Sequence, residues 1–242
     1  PNQCPDFNVI LENQSQVNAF VSSYGTCDTI FGNLTIQGNT NDISGLNNIV
    51  YIQGNLSISG NSLINLEGFN QLNAVGGFVD ILNCSALQDI SALQNLTTVG
   101  NRLRINNCDQ LPNISGLQNI QSIGADLTIA GNQILADCQA ICDVINNASI
   151  GGNVNISSNP IGCSSYNEVF FLCDPDQCPD FNVTLENQNQ VNAFVNSYSS
   201  CDTIFGNLTI QGNTNDISGL NNIVYTQGNL SISGTNLINL EG

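Results

Sequence analysis

A chain of 242 residues with 41% hydrophobic content holds enough apolar material for a full domain core and part of a second. Its charges are lopsided: Arg102 and Arg104 are the only basic residues, Lys and His are absent, and 19 acidic residues bring the net charge to −17. Nucleic acid and anionic membrane surfaces are therefore excluded as partners, since both are held by clustered cations, and no apolar run approaches the ~18 residues of a membrane span.

Taken from the start, Cys4 precedes a segment, Phe7 to Leu11, that reads as a strand. Gln14 to Tyr24 then places Val17, Phe20, Val21 and Tyr24 on one helical face. Strand and helix together form the expected N-terminal cap, pinned by a Cys4–Cys27 disulfide. GNLTI at Gly32 to Ile36 next returns as GNLSI (Gly54 to Ile58), GFVDI (Gly77 to Ile81), NRLRI (Asn101 to Ile105), ADLTI (Ala125 to Ile129) and GNVNI (Gly152 to Ile156), at spacings of 22, 23, 24, 24 and 27 residues. Periods of this size mark a leucine-rich β-solenoid in which each coil gives one short strand to a parallel sheet, here about six strands. Within a strand, alternation sends Leu34 and Ile36 inward and leaves Asn33 and Thr35 facing solvent.

Between the strands the apolar residues fall three apart, as in Leu87, Ile90, Leu93, Leu96 and Val99, which predicts a compact coil with all of them inside. Three residues beyond each strand Ile stands Asn39, Asn61, Cys84, Cys108, Asn132 or Asn159, a column of polar side chains expected to satisfy turning backbone groups. Cys84 and Cys108 sit on adjacent coils, and parallel strands ~4.8 Å apart permit a disulfide; a pair of buried thiols fits the column equally. Toward the other end of the module, ahead of the last strand, Leu135 to Ile145 places Cys138 and Cys142 one helical turn apart, with Cys163 and Cys173 as partners in a C-terminal cap whose connectivity stays open.

Pro1 to Gly68 then returns as Pro175 to Gly242 with nine differences, Cys4 matching Cys178 and Cys27 matching Cys201 at a period of 174 residues. The expected organisation is a complete module over 1–174 and the N-terminal part of the next over 175–242. The second copy breaks off inside a coil that the first completes, and no signal sequence opens at Pro1, so an internal segment of a longer array is expected. Eight cysteines per module point to disulfides and an oxidising, extracellular setting. Asp174, Asp176 and Asp180 gather at the short Pro-containing connector, where calcium would find carboxylate oxygens; without a recognisable calcium loop, plain solvation is the favoured reading and no cofactor is expected.

The cysteine-bracketed start, CDTIFGNLTI, SGLQNIQSIGADLTI and the closing NISSNPIGC with VFFLC resemble receptor L-domain-like leucine-rich modules. AICDVI and GCSSYNEVFFLC are similar to the C-terminal cap shared by the bacterial forms found in type IX-secreted surface proteins. The resemblance implies a cell-surface stalk, adhesin or filament element that adjoins further copies of the same module, or a receptor-like module that binds a protein or carbohydrate on its sheet face. No enzyme is expected: without His the usual nucleophile and base sets cannot be assembled. A carboxylate pair formed by Asp80 and Asp126 would lack a cleft or an aromatic sugar platform.

One patch stands out on the outward sheet face. Thr35, Ser57, Asp80, Arg104, Thr128 and Asn155 form one outward column, and Asn33, Asn55, Phe78, Arg102, Asp126 and Asn153 the other. Phe78, Asp80, Arg102, Arg104 and Asp126 thus adjoin and form the candidate partner-binding patch. The charges are expected to pair Arg104 with Asp80 and Arg102 with Asp126, or to stack Arg102 on Phe78. Eleven N-x-S/T sites among 41 Asn, including Asn33, Asn55 and Asn207, leave glycosylation open.

Overall fold

The computed structural model describes residues 4–60, 62–160, 163–166, 169, 173, 178–179, 182–238 and 240. They divide into two units, Pro1–Tyr166 and Asn167–Gly242.

In the first unit, strands β1 (Val9–Asn13), β3 (Leu34–Asn39), β5 (Leu56–Ser59), β7 (Val79–Leu82), β9 (Leu103–Asn106), β11 (Leu127–Ala130) and β13 (Val154–Ser157) form one sheet in that order. All neighbours are parallel, and the register sets Leu34, Leu56, Val79, Leu103, Leu127 and Val154 side by side. The six predicted strands are present, and β1 adds a seventh by pairing with β3. It runs two residues later than the sequence suggests, because Val9 and Leu11 are the residues that turn inward.

A second parallel sheet was not foreseen. It consists of the two-residue strands β2 (Thr29–Ile30), β4 (Tyr51–Ile52), β6 (Ala74–Val75), β8 (Thr98–Val99), β10 (Ser122–Ile123) and β12 (Ser149–Ile150). Two residues are too few to show an alternation, so only the single buried position of each coil is visible in the sequence. The corner that joins the two sheets is tight. A Cβ added at Gly100 would lie 2.0 Å from the carbonyl oxygen of Gly76, and one at Gly124 2.1 Å from that of Gly100.

The three-residue apolar spacing has a local cause: the chain forms 3-10 turns at Ser44–Leu46, Glu67–Phe69, Ser91–Asn95 and Ser115–Leu117, and a 3-10 helix has three residues per turn. Each turn is started by a side chain two residues ahead of it. The Oδ1 atoms of Asp42, Asn65, Asp89 and Asn113 accept the backbone N–H of Ser44, Glu67, Ser91 and Ser115 at 2.8, 3.2, 2.7 and 3.2 Å. The bond to Ser44 also holds the Asp42 carboxyl below the usual carboxylate range. Several acidic residues of this chain are thereby structural.

Helix α1 (Gln14–Tyr24) has the predicted bounds, packs against β1 and the first 3-10 turn, and buries Val17 and Phe20. Its N-cap is Asn13, whose side chain accepts the Gln16 N–H at 3.1 Å. Helix α2 (Gln139–Asn147) begins later than expected. Asp137 repeats the turn-starting bond, here to Gln139 N at 3.0 Å, so Leu135 and Cys138 precede the helix and only Cys142 lies within it. Disulfides join Cys4 to Cys27 and Cys138 to Cys163, and Cys142 and Cys173 are disulfide-bonded as well.

The polar column is present with one correction. Asn39 is exposed, and Thr40 fills the buried place, its hydroxyl donating to the carbonyls of Leu11 and Gln37. Asn61 lies outside the described residues. Asn132 donates through Nδ2 to Ile105 O and Asn159 Oδ1 and accepts the Cys108 N–H, while Asn159 donates to Ile129 O and Cys163 O. Cys84 and Cys108 are buried thiols with no disulfide between them, and each Sγ points at carbonyls of its own and the preceding coil. A hydrogen bond from Cys84 holds the Cys108 thiol below its ordinary value despite burial. Two residues beyond each strand Ile the chain turns through positive φ, at Gly38, Gly60, Asn83, Asn107, Gly131 and Ser158. Glycine and, more rarely, Asn tolerate that geometry, and it is what bends the chain out of each strand.

The second unit repeats the start of the first. Strands β14 (Val183–Asn187), β16 (Leu208–Asn213) and β18 (Leu230–Ser233) form a parallel sheet, β15 (Thr203–Ile204) pairs with β17 (Tyr225–Thr226), and Cys178 is bonded to Cys201. Its helix, Gln188–Ser197, stops one residue short of its counterpart. Ser199 replaces Gly25, where an added Cβ would lie 2.5 Å from Val21 O. The last turn accordingly opens one residue earlier, at Tyr198.

Candidate functional site

The outward face of the seven-stranded sheet carries the candidate patch, and the strand register confirms its first column: Thr35, Ser57, Asp80, Arg104, Thr128 and Asn155 are successive partners. The second column is a ladder of side-chain oxygens, each taking a backbone N–H from the next coil. Asn8 Oδ1 accepts Asn33 N at 2.9 Å, Asn33 Oδ1 accepts Asn55 N at 2.8 Å, and Asn55 Oδ1 accepts Phe78 N at 2.9 Å. The second unit repeats it with Asn182, Asn207 and Asn229. Asn33, Asn55 and Asn207 are thus committed to the backbone.

Phe78 ends this ladder, because it has no oxygen to offer. Arg102 N turns instead to its neighbour Asn101, whose Oδ1 accepts it at 2.8 Å. The ladder resumes at Asp126, whose Oδ1 accepts Asn153 N at 2.7 Å. Two consecutive coils therefore give up a repeating backbone contact and carry Phe78 and Arg102 in its place.

Both arginines converge on one carboxylate. Arg102 donates from Nε and Nη2 to Asp80 Oδ1 and Oδ2 at 3.2 and 2.9 Å, and Arg104 does the same at 2.8 and 2.5 Å. The Arg102 guanidinium also lies over the Phe78 ring, 4.2 Å from its centroid. Asp80, expected on an exposed face, is only 3% exposed beneath this cover, while the arginine side chains remain 34% and 33% exposed. Burial pushes the Asp80 carboxyl up, but the hydrogen bonds and charges of Arg104 and Arg102 outweigh it and hold the group below the usual carboxylate range. The same contact raises Arg104.

The structure thus brings Phe78, Asp80, Arg102 and Arg104 into direct contact, while Asp126, on the coil beside Arg102, turns its carboxylate to the Asn153 backbone. The expected Arg102–Asp126 pair is replaced by a second bond to Asp80, and Asp126 serves the backbone. Arg104 lies directly opposite Asp80 in the register. Arg102, two residues earlier, approaches the same carboxylate diagonally, within reach of a long side chain. Two guanidiniums against one carboxylate leave the cluster one positive charge in a chain of net −17.

Asp174, Asp176 and Asp180, considered for calcium, lie outside the described residues. Among the described residues no group of three or more His, Cys, Asp or Glu is placed to hold a metal ion, and no helix is long and apolar enough to cross a membrane.

No curated protein and no solved structure matches the chain. A family model does: residues 26–88 match the Receptor L domain. The matched segment runs from the first disulfide through Phe78 and Asp80 to just past Cys84, and its parallel sheets of short strands with a flanking disulfide fit that assignment. This part of the chain is receptor L-domain-like, and with the disulfides it points to an extracellular setting.

Proposed function

We propose that the chain is a structural element of an extracellular tandem-repeat protein, serving in a filament, stalk or surface adhesin, with α1 and α2 covering the ends of each module's solenoid. The observation that carries this reading is repetition at the level of contacts. The second unit rebuilds the disulfide, the N-capped helix, the Asn ladder and the turn-starting aspartate of the first, as Cys178–Cys201, Asn187, Asn182 to Asn229 and Asp216. Copies that rebuild the same contacts are suited to a load shared by every copy. No enzyme chemistry is assigned. A glycosidase acid needs a raised pKa, whereas Asp80 is held low and Asp126 is committed to Asn153. Immunogold labelling of intact producing cells with antibody to residues 1–242 tests the reading. Label outside the cell boundary is expected, and label confined to the cell interior contradicts it.

A second reading, that each full module is a receptor-like binding unit, is favoured by the break in the Asn ladder. A regular structural rule is given up where Phe78 and Arg102 stand, and such departures concentrate at functional sites. The two roles are compatible, since an adhesin needs both a repeating body and a contact surface.

A further inference from the structure

Building on the receptor-like reading, we infer that Arg102 and Arg104 form a receptor site for one carboxylate side chain, Asp or Glu, presented by an otherwise neutral partner protein. A guanidinium has five N–H donors in a planar fork. Each arginine spends its Nε and one Nη2 donor on Asp80, and their Nη1 groups donate to no partner among the described residues. Asp80 lies buried beneath both and holds them in one geometry, so little side-chain freedom is left to lose on binding. The result is a preset pair of forks, a third exposed, with one positive charge unmatched.

The surroundings narrow the partner. Ser57 lies beside Asp80 and Thr128 beside Arg104 in the sheet register, so the site is framed by hydroxyls that suit a neutral polar surface. A single carboxylate satisfies the single unmatched charge and fits the fork in bidentate fashion. A polyanion gains no more than that one charge and is repelled by the rest of a chain of net −17. A sugar ring would have to compete with Arg102 for the face of Phe78 that the guanidinium covers, 4.2 Å from its centroid.

The composition makes the test direct, because a chain with two arginines has two arginine Nε–H resonances. Titrating residues 1–242 with N-acetyl-aspartyl-methylamide should shift both saturably, with a midpoint on the order of millimolar, while the matching asparagine compound leaves them in place. Arg104→Lys keeps the charge but loses the fork, and should weaken the titration about tenfold while backbone amide signals elsewhere stay unchanged. Equal response to the asparagine compound, or undiminished binding by R104K, overturns the carboxylate site. Shifts with sodium sulfate or glucuronic acid at lower concentration than with the aspartyl compound overturn the protein partner and leave the receptor-like reading standing. Shifts with none of these probes remove both.

Discussion

Asn132 shows how much one side chain does in this fold. Its amide makes three side-chain hydrogen bonds in a buried setting, to Ile105 O, Asn159 Oδ1 and Cys108 N. Asn132→Ala removes them and strands the Cys108 N–H, and urea unfolding should show a loss of about 3 kcal/mol. Asp80 makes a different prediction. Its folded pKa is depressed, so its stabilisation is present above the unfolded carboxylate value near ~3.9 and is lost as pH falls through the lowered folded value. With the arginines a third exposed, Asp80→Asn should cost about 1–2 kcal/mol after screening. Thermal melts across pH should show a constant gap between D80N and the parent from pH 5 to 8, narrowing only below about pH 4. The column role of Asn132 was legible from its place three residues after a strand Ile. The sharing of Asp80 was not, because register assigns Asp80 to Arg104 alone and the diagonal reach of Arg102 depends on its length.

Among elements, the long strands announced themselves through alternation, as at Leu34 and Ile36, and α1 through its four-residue apolar face. The short strands and their corner did not, since a two-residue strand has no period. Gly76, Gly100, Gly124 and Gly151 nevertheless recur at that corner, each stacked on a carbonyl of the coil before. Gly100→Ala drives a Cβ into Gly76 O, and should cost about 2–3 kcal/mol by denaturant unfolding, because strands on both sides prevent the backbone from yielding. The turn-starting residues were readable in principle: Asp42, Asn65, Asp89, Asn113 and Asp137 each precede a turn or helix by the same offset. At the start of α1, Asn13→Ala should lower the melting temperature through a loss of about 1 kcal/mol.

For the whole molecule, repetition operates at two periods, a coil of 22 to 27 residues within a module of 174. A coil cannot bury its own apolar face and relies on the next one. Leu56 and Ile58, for example, are fully buried in the first unit, where coils lie on both sides of them. The longer period was legible from near-identity of sequence, and the contacts repeat with it. Electron microscopy of the native protein tests the tandem structural role most directly. The account predicts particles with a regular axial spacing on the order of 40 Å per module, from strands stacked at ~4.8 Å plus the terminal helices. Particles without such a repeat would contradict it.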